Sequence, residues 1–431
     1  ANGKNVAIGK SALTTQNAGA DAYNVAVGYD AGKSVTTGTD NVLMGGFAGD
    51  ALTTGIYNVA IGRSALSTED AYGYNVAIGT FALLNQNAGA DALNVAVGYN
   101  AGGSVTTGVS NTLIGAQAGD GLTTGADNVA VGYNSLTAAN AGNKSIAIGQ
   151  SALRSQNYTF TDATCDTSND DATVTHDANA LIIAGASVSG TGIPNGATVA
   201  SITSTTEFEL SAVATAAGTN VTLTFSKSGV DYNNTAVGYA AGTAITTAVE
   251  NTLIGSSAGD RLTTGSQNTA VGYFSLSYEN AHIGNTALGW KTLAVQDAGA
   301  DAYNVAVGHS AGVSMTTGVN NTLVGAFSGD ALTSGFDNTF IGKNCGGRTT
   351  IGNNNVAMGD SALSYNIAGD RNVAIGEGAL SVMTAASTTD TNNTALGYRS
   401  GVAVTSGVNN TLLGTSAGDA LTTGDNNIII G

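Results

Sequence analysis

Three carboxylates within six residues, Asp166, Asp170 and Asp171, are the densest group of side chains able to do chemistry. Converging carboxylate oxygens bind hard cations, so this stretch is the candidate cation loop, and its bland alternative is a solvated acidic turn. Cys165 lies in the same stretch and reads as a free thiol, or one able to pair between molecules. Cys345 occupies a slot filled elsewhere by Ala or Ser and reads as packing. His176, His282 and His309 are scattered and belong to no HExxH or CxxC-type ligand set. The segment AGKS at 31–34 faintly suggests a phosphate loop, but its glycine spacing is wrong and the matching AGGS at 101–104 lacks the lysine. No Asp/Glu pair recurs or stands out as glycoside hydrolysis would require. The expectation is a non-enzyme with no catalytic residue, no metal and no cofactor.

Composition points the same way. The chain has 431 residues, of which 61 are Gly, 1 is Pro and only 10% are charged. So much glycine suits collagen or disorder, yet there is no Gly-X-Y period and 42% of the residues are hydrophobic. The chain should fold, and fold repetitively. A net charge of −17 argues against nucleic acid, which needs a basic surface. No run of about 18 apolar residues is present, so no membrane insertion of this segment is expected. Ala1 precedes a repeat and Gly431 completes one, so the sequence reads as cut or processed from something longer.

The elements that must position any functional side chain are set by a five-residue phrase. NVAIG at 5–9 and 58–62 returns as NVAVG, NTLIG and NTALG in 21 copies. Its first residue is Asn in every copy but one, as at Asn24, Asn58, Asn94 and Asn304, with Ser145 the exception. The steps are 17 residues in most cases, 19 in three, 21 in one and 89 across a single gap, with a higher period of 70. A 17-residue step is too short for helical repeats and suits one coil of a β-solenoid. Stacked at ~4.8 Å, such coils would make a rod on the order of 100 Å long.

Within the phrase, position two is always β-branched and position four always aliphatic, as at Val27 and Ile61. These share a face, because strand side chains alternate. Position three is Ala in most coils, as at Ala26, and Leu at 43, 113, 253, 323 and 412. A strand apolar on both faces should be buried on both. One face can fill the coil's interior; the other needs a partner, and another copy of the chain is the economical one. Position five is Gly throughout, including Gly28, Gly62, Gly98 and Gly308, which suits a corner needing positive φ or close backbone approach. Three residues past it comes a small slot, then Leu or Gly, which reads as a second short strand. The residue just past the Gly is aromatic at Tyr29, Tyr99, Tyr133, Tyr239, Tyr273, Trp290 and Tyr398, a candidate surface-contact column in which His309 also stands. Asp50, Asp120, Asp260, Asp330 and Asp419 follow the Leu-bearing coil; calcium is one reading, but copies four coils, roughly 19 Å, apart favour solvated turns.

The phrase, followed by a small residue and recurring once per coil, resembles the head repeat of trimeric autotransporter adhesins (YadA-like heads). It is also similar to the tail-fibre-domain proteins of phages and bacteria that use the same NxAxG repeat. The resemblance covers roughly residues 1–156 and 231–431. It implies a left-handed parallel β-roll assembled as a homotrimer and working as an adhesive or spacing rod. These coils are longer than those typical of adhesin heads.

The 89-residue step is one 19-residue step plus 70 residues, placed after Asn157. The longer coils carry their extra residues in the same corner, which must therefore face solvent. The insert reads as short strands near 172, 181, 197, 207 and 221 with IPNG as a turn, hence a small β-sandwich or barrel. The expected architecture is all-β: solenoid over 1–157, inserted β domain over 158–228 and solenoid again over 229–431, about 21 coils in all.

The functional expectation is a structural or adhesive fibre segment outside the cell, on a cell surface or a virion appendage. Its partners would be itself, as a homotrimer, and a host-surface receptor, a glycan or a neighbouring fibre protein. Two alternatives remain: a tailspike-type fibre that binds or degrades polysaccharide, and an ice- or surface-binding solenoid prompted by the TTG steps at 36, 53, 106 and 123.

Overall fold

A computed structural model describes residues 3–138, 142–157, 159–179, 181–227, 229–299, 301–384 and 389–431. Ala1 and the expected insert borders, Tyr158 and Ser228, lie outside the described residues. The fold is an all-β parallel β-solenoid with the expected 17-residue spacing and, among the described residues, no helix. The chain divides into two compact units, Ala1–Asn233 with Ile245–Thr247, and Asn234–Ala244 with Ala248–Gly431. Each phrase supplies a strand of three residues, such as Val25–Val27, Val42–Met44 and Val59–Ile61 in the first unit and Thr322–Val324 in the second. Successive strands pair parallel with like residues opposite: Val25 with Val42, Ala26 with Leu43, Val27 with Met44.

The phrase's asparagine does more than begin the strand. Its side chain is buried, and a buried amide must satisfy both its donor and its acceptor. Asn111 shows how. Its Nδ2 donates to the Gly125 carbonyl 14 residues on, at 2.8 Å, tying the start of the coil to its far end. Its Oδ1 accepts from the backbone N–H of Asn128, one coil along, at 3.1 Å. The inter-coil bond recurs at every step from Asn24 to Ser145 and from Asn251 to Asn427. Aspartate lacks the donor and serine the reach, whereas asparagine can both close a coil and bind it to the next.

Position three faces the interior and is fully buried, whether Ala26, Ala60, Leu113 or Phe340. The five-position glycine answers both demands of the corner. At Gly98 φ is +141°, and a Cβ there would lie 2.5 Å from the Gly115 carbonyl oxygen of the next coil. The Leu-or-Gly position further on is a volume exchange. A Cβ on Gly32 would stand 2.6 Å from Leu43, and one on Gly49 would stand 2.8 Å from it, so these glycines clear the space that Leu43 fills. In the coil of Ala60, two coils beyond that of Ala26, Leu66 fills the interior instead. Four coils complete this exchange, which explains the 70-residue period. The expected second strand is absent there: Ser64 and Leu66 sit at φ of 52° and 51°, left-handed conformations that break extended structure, and the segment is a run of turns.

The insert forms six antiparallel strands, Thr159–Thr167, Thr173–Thr175, Ser187–Gly190, Val199–Ser204, Glu207–Leu210 and Gly218–Ser226. They lie in the order 187–190, 218–226, 159–167, 173–175, 207–210, 199–204. A bridge between Ser187 and Thr198, with Val188 N–H donating to Ala197 at 2.9 Å and Val199 N–H to Ala186 at 2.8 Å, joins the end strands and closes a small barrel. Its core holds Cys165, Val174, Phe208, Leu223 and Phe225.

Replacing Asn111 with Ala removes the coil closure and strands the Asn128 N–H in the interior. Stranding buried polar groups costs about 1–3 kcal/mol each, so Asn111→Ala should lower stability by roughly 2–4 kcal/mol. Thermal melting checks this, with the half-exposed Asn427→Ala as the milder comparison.

Candidate functional site

The repeat residues Asn24, Asn58, Asn94 and Asn304 are buried in the ladder, Ala26 fills the interior, and Gly28, Gly62, Gly98 and Gly308 turn the corner. They are structural. Val27 and Ile61 point the other way, and the outward positions two and four stay partly or largely exposed along the solenoid. Met44, Ile114, Ile254 and Met358 are each about 40% exposed, at 40%, 40%, 39% and 39%.

The aromatic column past the Gly is also exposed: Tyr29, Tyr99, Tyr133, Tyr239, Tyr273, Trp290 and Tyr398 all present their rings to solvent. Several engage an aromatic ring nearby. Tyr29 meets Phe47 edge-on at 5.3 Å, and Trp290 stacks on His309 at 4.5 Å, with Phe327 5.1 Å from His309. Two surface cavities of the second unit carry an arginine stacked on a tyrosine one coil along. Arg261 lies 4.0 Å from the Tyr278 ring in a cavity of about 560 Å³, and Arg348 lies 4.2 Å from Tyr365 in one of about 380 Å³.

The acidic trio does not converge. Asp166 ends a strand and accepts the Asn220 N–H at 2.7 Å, Asp170 accepts from Asn169 at 2.7 Å, and Asp171 accepts the Thr173 N–H at 3.0 Å. That last bond holds the Asp171 carboxyl below its ordinary pKa. Cys165 is not in a loop. It is a fully buried strand residue of the barrel core, its thiol pushed up to about 12 by burial, so it has no access to a second molecule. Cys345 fills its small slot as expected, donating to the Ala357 carbonyl at 3.1 Å, with burial likewise raising its pKa to about 12. Lys33 of the AGKS segment pairs with Asp30 at 3.2 Å. The Gly-Asp series departs from simple solvated turns. Asp120, Asp260 and Asp330 are half-buried and their pKa values raised, chiefly by burial.

Sequence reasoning missed the two buried glutamates. Glu69 and Glu279 lie seven residues past the corner Gly, in the interior column that Gln16, Val35, Leu52 and Gln86 also occupy. The signal was their register: every other described residue there is apolar or an uncharged polar residue. Glu69 is fully buried; Oε1 accepts the Tyr72 N–H at 3.2 Å, but Oε2 has no partner. Burial raises its pKa, against the opposing pull of the Tyr72 and Ala71 backbone.

A carboxyl whose pKa is higher folded than unfolded binds more protons in the native state. Its stabilising contribution is then complete below the unfolded value near 4.5 and is lost as pH rises through the folded value. Glu69→Gln should therefore be the more stable protein at pH 7, by on the order of 1 kcal/mol, with the difference in Tm vanishing below about pH 4. Melting curves across that range test it, and a variant no more stable than the parent at pH 7 would contradict it.

No protein-family model matches this sequence, and no curated relative matches it.

Proposed function

We propose that this chain is a non-enzymatic structural and adhesive fibre segment that assembles as a homotrimer outside the cell, on a cell surface or a virion appendage. The observation that carries the proposal is the outward face of the strands. Coil after coil, a β-branched residue and an aliphatic one remain partly or largely exposed, as at Val59 with Ile61 and Val76 with Ile78. Extended apolar surfaces of this kind are covered in stable proteins. A stripe with one pair per 17-residue coil is matched in period only by a stripe of the same make, so further copies of this chain are the fitting cover.

The ladder, the interior and the corner account for positions one, three and five of the phrase without assigning any of them chemistry. What is left for recognition is the exposed aromatic column, the two Arg–Tyr cavities and the surface of the barrel. These suit a receptor, a glycan or a neighbouring fibre protein, since aromatic rings and arginines dominate contact energetics. The net charge of −17 sets the surface against nucleic acid.

Light scattering on the purified chain should give about three times its 42.3 kDa mass. Ile61→Lys combined with Ile78→Lys should shift the mass toward that of a single chain. A monomeric parent would overturn the proposal.

A further inference from the structure

We propose that Glu279, His282 and Asp297 form a binding site for a divalent transition metal of the zinc type. One ligand atom from each of the three residues, a carboxylate oxygen of Glu279 and of Asp297 and a ring nitrogen of His282, lies within 4.8 Å of the other two. His282 Nδ1 is 2.7 Å from the glutamate oxygen and 3.6 Å from the aspartate oxygen. Zinc ligand bonds of about 2.0–2.2 Å in tetrahedral array put ligand atoms roughly 3.2–3.6 Å apart. The aspartate spacing already suits this, and the Glu279–His282 hydrogen bond needs to open by about half an ångström. One imidazole and two carboxylates is a donor set that zinc accepts, leaving a fourth position for solvent.

The three groups run from core to surface. The Glu279 side chain is fully buried, His282 is 14% exposed and Asp297 is 58% exposed. Asp297 and Asn280 also line the cavity of about 560 Å³ that holds Arg261 and Tyr278, which gives an ion its way in. A buried carboxylate is costly unless it is neutralised, hydrogen-bonded or matched by a cation. Glu279 receives the Asn280 N–H at 3.0 Å, the His282 N–H at 3.2 Å and the Asn285 amide at 3.4 Å, and its one ion-pair partner among the described residues is His282.

The same chain carries its own comparison. Glu69 occupies the equivalent place 210 residues earlier, equally buried, but Tyr72 and Asn87 stand where His282 and Asp297 stand. The fold thus accepts a buried glutamate with neither residue. Around Glu279, its own coil adds a nitrogen ligand, His282, and the next coil an oxygen ligand, Asp297, which packing alone does not require. On binding, the Nδ1 proton moves to Nε2 of a neutral ring or leaves to solvent from a charged one, and the metal takes its place.

Calorimetric titration of the untagged full chain with zinc chloride tests the site. The expected result is one ion per chain, with affinity reduced at least about tenfold by Asp297→Asn and by His282→Ala. Asp297 is exposed, so Asp297→Asn should keep the parent's Tm and circular dichroism without zinc, and loss of binding in it would not reflect unfolding. An absence of zinc binding in the parent, or binding unchanged in both variants, would overturn the assignment.

Discussion

A buried amide must be given a donor and an acceptor, and the solenoid is arranged round that requirement. Asn75 and Asn285 turn their Nδ2 to Gly73 and Glu279, but a typical ladder asparagine spends its Nδ2 on closing its own coil, as Asn94 does to Gly108 at 2.8 Å. Its Oδ1 holds the next coil, as Asn94 does with the Asn111 N–H, also at 2.8 Å. Neither bond is strong alone, since a hydrogen bond nets about 1 kcal/mol. Repetition makes them decisive: an out-of-register coil would strand polar groups in a dry interior, so the ladder sets register as well as adding stability. The glycine corners follow from the same stacking, because adjacent coils approach too closely there for any Cβ.

With register fixed, the small interior leaves a volume rule. Leu43 needs Gly32 and Gly49 beside it, Phe340 needs Gly346, and the coils of Ala60 and Ala130 take a leucine, Leu66 and Leu136, from the turn side. The interior is then complete within each unit and cannot also accept positions two and four, which are left outside. The function proposed for the chain rests on that remainder. The fold buries its polar amides and leaves outside, coil after coil, a β-branched residue, Val, Ile or Thr, beside an aliphatic one.

The sequence made the coil length, the corner glycines and the two-sided apolar strand legible, because each repeats many times within one chain. Other features were hidden for physical reasons. Asn24 and its equivalents looked like strand starters, since nothing in a strand pattern says that a polar residue at its edge turns inward. The second strand failed because Leu66 and its equivalents take a left-handed conformation, which leucine's propensity does not suggest. Strand Thr159–Thr167 went unseen because irregularities near Asp162 and Cys165 disrupt the alternation that marks a strand and bury an aspartate. Glu279 belongs to no motif and His282 reads as one of three scattered histidines, and only their register in the coil places one inside and the other against it.

The asparagine ladder should be the most protected part of the solenoid, and amide hydrogen exchange reads it directly. The backbone N–H groups of Asn75, Asn94, Asn111 and Asn128, each bonded to a side chain of the preceding coil, should be among the slowest to exchange, while those of the exposed turn Gly89–Asp91 exchange rapidly. Ladder amides that exchange as fast as that turn would contradict the account.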